Sequence, residues 1–205
     1  MSIPELEKQL AEARARLQTF LSPLTNVPAA HVAFEEVSIA QRALAAAKDE
    51  EYADRYEVGF VPEGAAPAPV LLQNERTVFL VFSAVKETSD GKREPLGYAT
   101  IEVAQCQLTK FGYPNDEALP GHPLYGKGLS AYGVFEVKNS TWIKVMTEQN
   151  RISFPNTPDS KARHFIITFH DSTFECIAQG LVSSLSVKSI AELFAELQTR
   201  LLADS

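Results

Sequence analysis

A chain of 205 residues that is 45% hydrophobic and 22% charged can bury about 70% of its unfolded surface in one core, which excludes long-range disorder. Its 19 basic residues are scattered among 26 acidic ones for a formal charge of −7, and counterion release needs clustered Lys and Arg, so nucleic acid is not an expected partner. No stretch approaches the roughly 20 apolar residues that span a bilayer, and Met1 runs straight into Ser2-Ile3-Pro4-Glu5 without the basic start and apolar run of a secretory leader.

The expectation is a cytoplasmic protein with no membrane partner. Its two cysteines, Cys106 and Cys176, fit a reducing compartment better than a disulfide scaffold.

Ser2 and Glu5 form a capping box ahead of Ile3, Leu6, Leu10, Ala13, Leu17 and Phe20, a 3-4-3-4-3 spacing that predicts an amphipathic helix over residues 3–21. The heptad register is too short for a coiled coil, so a monomer is favoured, with a homodimer through this helix as the alternative. Ser22-Pro23 stops the helix. Asn26 and Pro28 start a second, Ala-rich one that runs to about Lys48 with Val32, Phe34, Val37, Ile39 and Leu44.

Tyr56, Val58 and Phe60 then alternate as a strand does, and Thr77 to Val85 is apolar on both faces, as a strand covered on both sides would be. A turn containing Asp90-Gly91 leads to β-rich sequence from Leu96 to Leu108. Residues 111–130 hold seven Gly and Pro residues. A loop of that length is uncommon in a compact domain and is more often functional than incidental.

A strand over Tyr132 to Val137, a short helix from Thr141 to Gln149 capped by Asn139 or Ser140, and a hairpin of Phe165–Phe169 with Thr173–Ala178 follow. Ser189 and Glu192 cap a closing helix over about 189–202. The reading is one α+β domain over 1–205. An N-terminal helical hairpin occupies 1–50, an antiparallel sheet of about six strands, open or partly closed, spans 55–183 with a short inserted helix, and a C-terminal helix follows.

Gly121-His122-Pro123-Leu124-Tyr125-Gly126-Lys127 satisfies a phosphate-loop spacing. Gly128 stands where Ser or Thr would bind magnesium, and the sequence after it reads as a strand, so the match is treated as chance. The hairpin carries more. With Asp171-Ser172 as a two-residue turn, Thr168 faces Glu175, and Phe165, Ile167, Phe169, Phe174, Cys176 and Ala178 share one apolar face.

The other face then holds Thr168, His170, Thr173 and Glu175, with His170 and Glu175 on a diagonal within reach. An imidazole beside a carboxylate suits acid-base work. The bland alternative is a solvated face bearing a polar cross-strand pair.

His170 and Glu175 are therefore the candidate catalytic pair. His122, Tyr125, Tyr132, Glu136 and Thr168 are the groups that a folded-over 111–130 loop and its neighbours could bring to a ligand. His164 and His170, six residues apart, stand about 20 Å apart on one strand and cannot share an ion, and no metal site is assigned. No complete catalytic motif occurs, and no cofactor is implied. The leading functional expectation is a module binding a small molecule or a protein, ahead of a small acid-base enzyme and of a helix-mediated structural dimer.

Overall fold

The computed structural model describes residues 1–21, 27–88, 91–156, 158 and 161–203. The Ser22-Pro23 stop, the Asn26 start and Asp90 of the expected turn lie outside them. Ile3–Leu21 forms α1 and Val27–Ala47 forms α2. Glu5 accepts from the Ser2 N–H at 2.8 Å, and Leu10 and Ala13 of α1 pack on Val37 of α2 with Leu17, Ala40 and Leu44 around them. Ion pairs Arg16–Glu36 and Lys48–Glu7, both at 2.7 Å, bridge the two helices. Such exposed pairs are worth under about 1 kcal/mol, so the apolar seam holds the hairpin together.

Ten strands follow among the described residues: β1 Tyr52–Arg55, β2 Val61–Pro62, β3 Val70–Gln73, β4 Val78–Glu87, β5 Arg93–Ala104, β6 Leu108–Gly112, β7 Val134–Lys138, β8 Arg163–Thr168, β9 Thr173–Ala178 and β10 Gly180–Ser186. Helix α3, Thr141–Ser153, lies between β7 and β8, and α4, Ile190–Ala203, closes the chain. The strands form two antiparallel five-stranded sheets. The first has the order β1-β7-β8-β9-β6, and the second has β10-β5-β4-β2 with β3 also paired to β4. The α+β class is as the sequence indicates, with the strands divided between two sheets.

The main core lies between the sheets. Val78, Leu80, Phe82 and Ala84 of β4 meet Phe165, Ile167, Phe169, Phe174, Cys176 and Ala178 of the β8–β9 hairpin there. The alternate residues of β4, Phe79 and Val81, face the other way onto Leu193 and Leu197 of α4. This is why β4 is apolar on both faces, and each fully buried side chain of this size contributes about 2 kcal/mol.

Tyr56, Val58 and Phe60 do not form a strand. They still turn inward onto the main core, so their period of two records burial without a hydrogen-bonded ladder. The stretch from Leu96 to Leu108 is not one strand either. β5 stops at Ala104, Gln105 takes a positive φ of 51°, and β6 crosses to the first sheet.

Candidate functional site

The outer face of the first sheet is where the polar residues of the hairpin collect, and it is covered. The 113–133 segment folds across it, placing Leu119, Leu124 and Leu129 on Ile166, Phe135, Val137 and Ala53. The solvated face that an isolated hairpin would present is thus a second interior. Thr168 is fully buried; its hydroxyl donates to Ser130 O at 2.9 Å and accepts from Gly133 N at 3.0 Å. It therefore fastens the covering segment rather than lining a cleft.

Gly128 explains the imperfect phosphate-loop string. Its φ is +103°, and a Cβ there would lie 1.9 Å from Ala53 O, while the neighbouring Lys127 carbonyl accepts from Ala53 N at 2.9 Å. A left-handed residue pressed against β1 has to be glycine. The string is a docking turn, with β7 and not a helix after it.

The hairpin register places the histidines differently from the sequence reading. Thr168 pairs with Thr173 and Ile166 with Glu175, so the connection is the four residues 169–172, closed by Phe169 N donating to Ser172 O at 2.8 Å. A shift of two residues preserves every face, and Phe169 and Phe174 remain in the same core. It changes every partner. His170 is carried beyond the ladder, and His164 takes the diagonal position beside Glu175.

Glu175 is thus not paired with His170. Its Oε1 accepts from Lys110 Nζ at 2.7 Å, and its Oε2 lies 3.4 Å from His164 Nε2. Burial alone would raise this carboxyl, but His164 and Lys110 outweigh it and hold the pKa down at about 2. Residue His164 is 4% exposed; at 3.4 Å its Nε2 is near enough to favour the ionised carboxylate, but the geometry is too poor to satisfy Nε2, which is left without a hydrogen-bond partner.

These groups floor a cleft of about 290 Å³ whose other lining residues are Glu51, His122, Pro123, Leu124, Thr141 and Trp142. Ser140 caps α3 by accepting from Ile143 N at 3.2 Å, which sets Trp142 and Thr141 at the rim. The Glu51 carboxylate accepts from both the backbone N–H and the hydroxyl of Thr141 and so occupies the positive end of that helix. His122 accepts from Leu124 N through Nδ1 at 3.2 Å. Burial lowers its pKa and Glu175 partly opposes that.

The remaining candidates stand apart. His170 Nδ1 lies 2.9 Å from Asp116 Oδ2, the Tyr132 hydroxyl donates to the same oxygen, and Asp116 N donates to His170 O at 2.9 Å. This contact ties the start and end of the covering segment to the hairpin loop. Tyr132 bonding pulls Asp116 down, with His170 adding to it. The Asp116 carboxylate in turn raises His170, and Tyr132 rises to about 12 through burial and Asp116.

Tyr125 packs on Phe34 of α2 with ring centroids 5.7 Å apart. Glu136, paired with Arg163 and Lys138, shares the opposite face of the sheet with Val134. Of the residues singled out in the sequence, the cleft gathers Glu175 and His122. His164, Lys110, Glu51 and Trp142 escaped the sequence reading of a site, and only the correct hairpin register would have brought His164 forward.

Among the described residues no group of three or more His, Cys, Asp or Glu side chains is placed to hold a metal ion, and no helix is long and apolar enough to cross a membrane. No protein-family model matches the sequence, and no curated protein or solved structure matches the chain.

Proposed function

We propose that this protein binds a small molecule in the cleft between the 113–133 segment, the start of α3 and the outer face of β8 and β9. One observation carries the reading: the buried imidazole of His164 presents an unbonded Nε2 beside a carboxylate held ionised, both at the floor of the cleft. An unmade hydrogen bond at a buried polar atom costs about 1–3 kcal/mol, a cost that a ligand group can remove. Concave sites with apolar walls and a few convergent polar groups are where small ligands bind.

A larger cleft of about 450 Å³ between α3 and the ends of β8 and β9 is lined by Gln107, Met146, Asn150, Arg151, Lys161 and Gln179. All of these except Met146 are exposed, and they offer no buried polar group of that kind. The reading includes a monomer in a reducing, intracellular setting, with Cys106 and Cys176 as free thiols.

The test is a titration of ¹⁵N-labelled protein with a library of small fragments of mixed charge. Binders should shift the Trp142 indole N–H and the Leu124 amide. Fragments that shift only Met146, Asn150 and Gln179 would move the site to the larger cleft and overturn the proposal.

A second reading, acid-base catalysis, is favoured by the Asp116–His170 contact, in which the carboxylate meets Nδ1 while 42% of the His170 side chain stays exposed. Neither of the two clefts above contains that pair, which places this reading second.

A further inference from the structure

The class of ligand follows from where the protons sit on the cleft floor, and the inference rests on the binding reading above. Ser140 Oγ is buried and already accepts from Ile143 N, and its other contact is His164 Nδ1 at 3.0 Å. We assign Ser140 as the donor and Nδ1 as the acceptor, because the hydroxyl carries one proton and Nδ1 is the acceptor the structure shows within its reach. The imidazole proton of His164 is then on Nε2, facing the cleft. The same logic holds for His122, whose Nδ1 accepts from Leu124 N, leaving the proton on its Nε2.

Beside the Glu51 carboxylate on Thr141 and the Lys110 ammonium on Glu175, the floor and wall therefore present two imidazole N–H donors and, next to His164, the carboxylate oxygen Glu175 Oε2. The other oxygen, Oε1, is taken by Lys110. His164 Nε2 and Glu175 Oε2 lie 3.4 Å apart without bonding each other, so a group seated between them has to accept from the first and donate to the second. A hydroxyl does both through one atom. An ammonium has no lone pair for the N–H, a carboxylate has no proton for Glu175, and a carboxylate or a phosphate meets its charge.

The walls contributed by Pro123, Leu124 and Trp142 suit the C–H faces of a compact ring or chain. At the roughly 30 Å³ that a water occupies in the liquid, 290 Å³ holds about ten non-hydrogen atoms. We propose that the cleft takes a neutral, hydroxyl-bearing molecule of the polyol or monosaccharide class, with one hydroxyl bridging His164 Nε2 and Glu175 Oε2 and a second accepting from His122 Nε2.

The experiment titrates ¹⁵N-labelled protein with glycerol, myo-inositol and glucose as neutral polyols, ethanolamine as a cation, and acetate and phosphate as anions. At least one polyol should shift the Trp142 indole N–H and the Leu124 amide saturably, and Glu175→Gln should weaken that binding about tenfold or more, the effect of one hydrogen bond to a charged group. If glycerol is among the binders, its trimethyl ether, which accepts but cannot donate, should not bind the unaltered protein, a result independent of whether the variant folds.

Shifts at these two signals from ethanolamine or acetate with none from the polyols would overturn the ligand class and leave the cleft as the site. Equal binding of glycerol and its ether would overturn the bridging hydroxyl. Silence of both signals toward every probe and toward the fragment library would overturn the class together with the binding reading beneath it.

Discussion

Glu175→Gln should make stability less sensitive to acid, by an amount the site geometry fixes. The carboxyl titrates near 4.5 in an ordinary setting and is held at about 2 in the fold, a difference of about 2.5 pH units. At 1.36 kcal/mol per unit this is on the order of 3 kcal/mol of stabilisation at neutral pH.

The folded pKa lies below the unfolded one, so the native state binds fewer protons in between. The contribution is fully present above about pH 4.5 and disappears as pH falls through about 2. The amide that replaces the carboxyl does not titrate, and the stability gap between wild type and variant should therefore be largest above pH 5 and close toward pH 2. Asp116 and Glu136, also lowered, titrate in both proteins and cancel from the comparison. Urea unfolding followed through Trp142, the sole tryptophan, with its ring 5.2 Å from that of His164, measures the gap. A gap constant from pH 2.5 to 6 would refute the claim that Glu175 is held ionised by Lys110 and His164.

Three more outcomes follow from the same geometry. An NMR titration should place His170 above its ordinary 6.5, and Asp116→Asn should bring it back toward that value; because the shift is upward, the Asp116–His170 contact stabilises below pH 6.5 and weakens as pH rises through the folded pKa. His122 should titrate below 6.5 and, since Glu175 opposes its lowering, should fall further in Glu175→Gln. Gly128→Ala should destabilise the fold by more than about 1 kcal/mol, because the left-handed backbone and the Ala53 carbonyl both reject a Cβ, and thermal unfolding would show it as a lowered Tm.

Much of the fold could be read from periodicity because burial is what periodicity records. α1 and α4 each bury one regular face, the β8–β9 hairpin alternates between two buried faces of which one is uniformly apolar, and the two-sided apolar run of β4 identified a strand with layers on both sides. The short strands β2 and β3 and the exposed strand β10 were invisible. Strands as short as β2 and β3 carry no usable period, and β10, with Val182 and Leu185 exposed, has no clean inner face to display.

The site was half legible, for a reason particular to hairpins. Parity decides which face a side chain takes, and register decides which residue it meets. A four-residue connection instead of two left the Phe165-to-Ala178 face intact and substituted His164 for His170 beside Glu175. A 111–130 loop folded over this face was expected, but the way the covering docks was unreadable. It depends on Leu119, Leu124 and Leu129 from a segment whose Gly and Pro residues announce turns without saying where the chain between them docks.

The ionised floor of the cleft is not what packing alone would select. Directly across from Glu175 stands Ile166, buried in the apolar cluster under Leu119 and Leu124, which shows what the same face carries where only the core is served. Replacing buried ionic groups by apolar side chains of similar volume is often neutral or stabilising, whereas leaving one partner mismatched is costly. Glu175→Met should therefore recover at least half of the stability that Glu175→Gln loses at pH 7. It removes the need to solvate a polar group, and Lys110, with 56% of its side chain exposed, can turn to water. The same substitution should abolish ligand binding. Equal destabilisation of the two variants in urea would mean that the fold itself needs the carboxylate, and the case for a ligand at His164 and Glu175 would lose its energetic support.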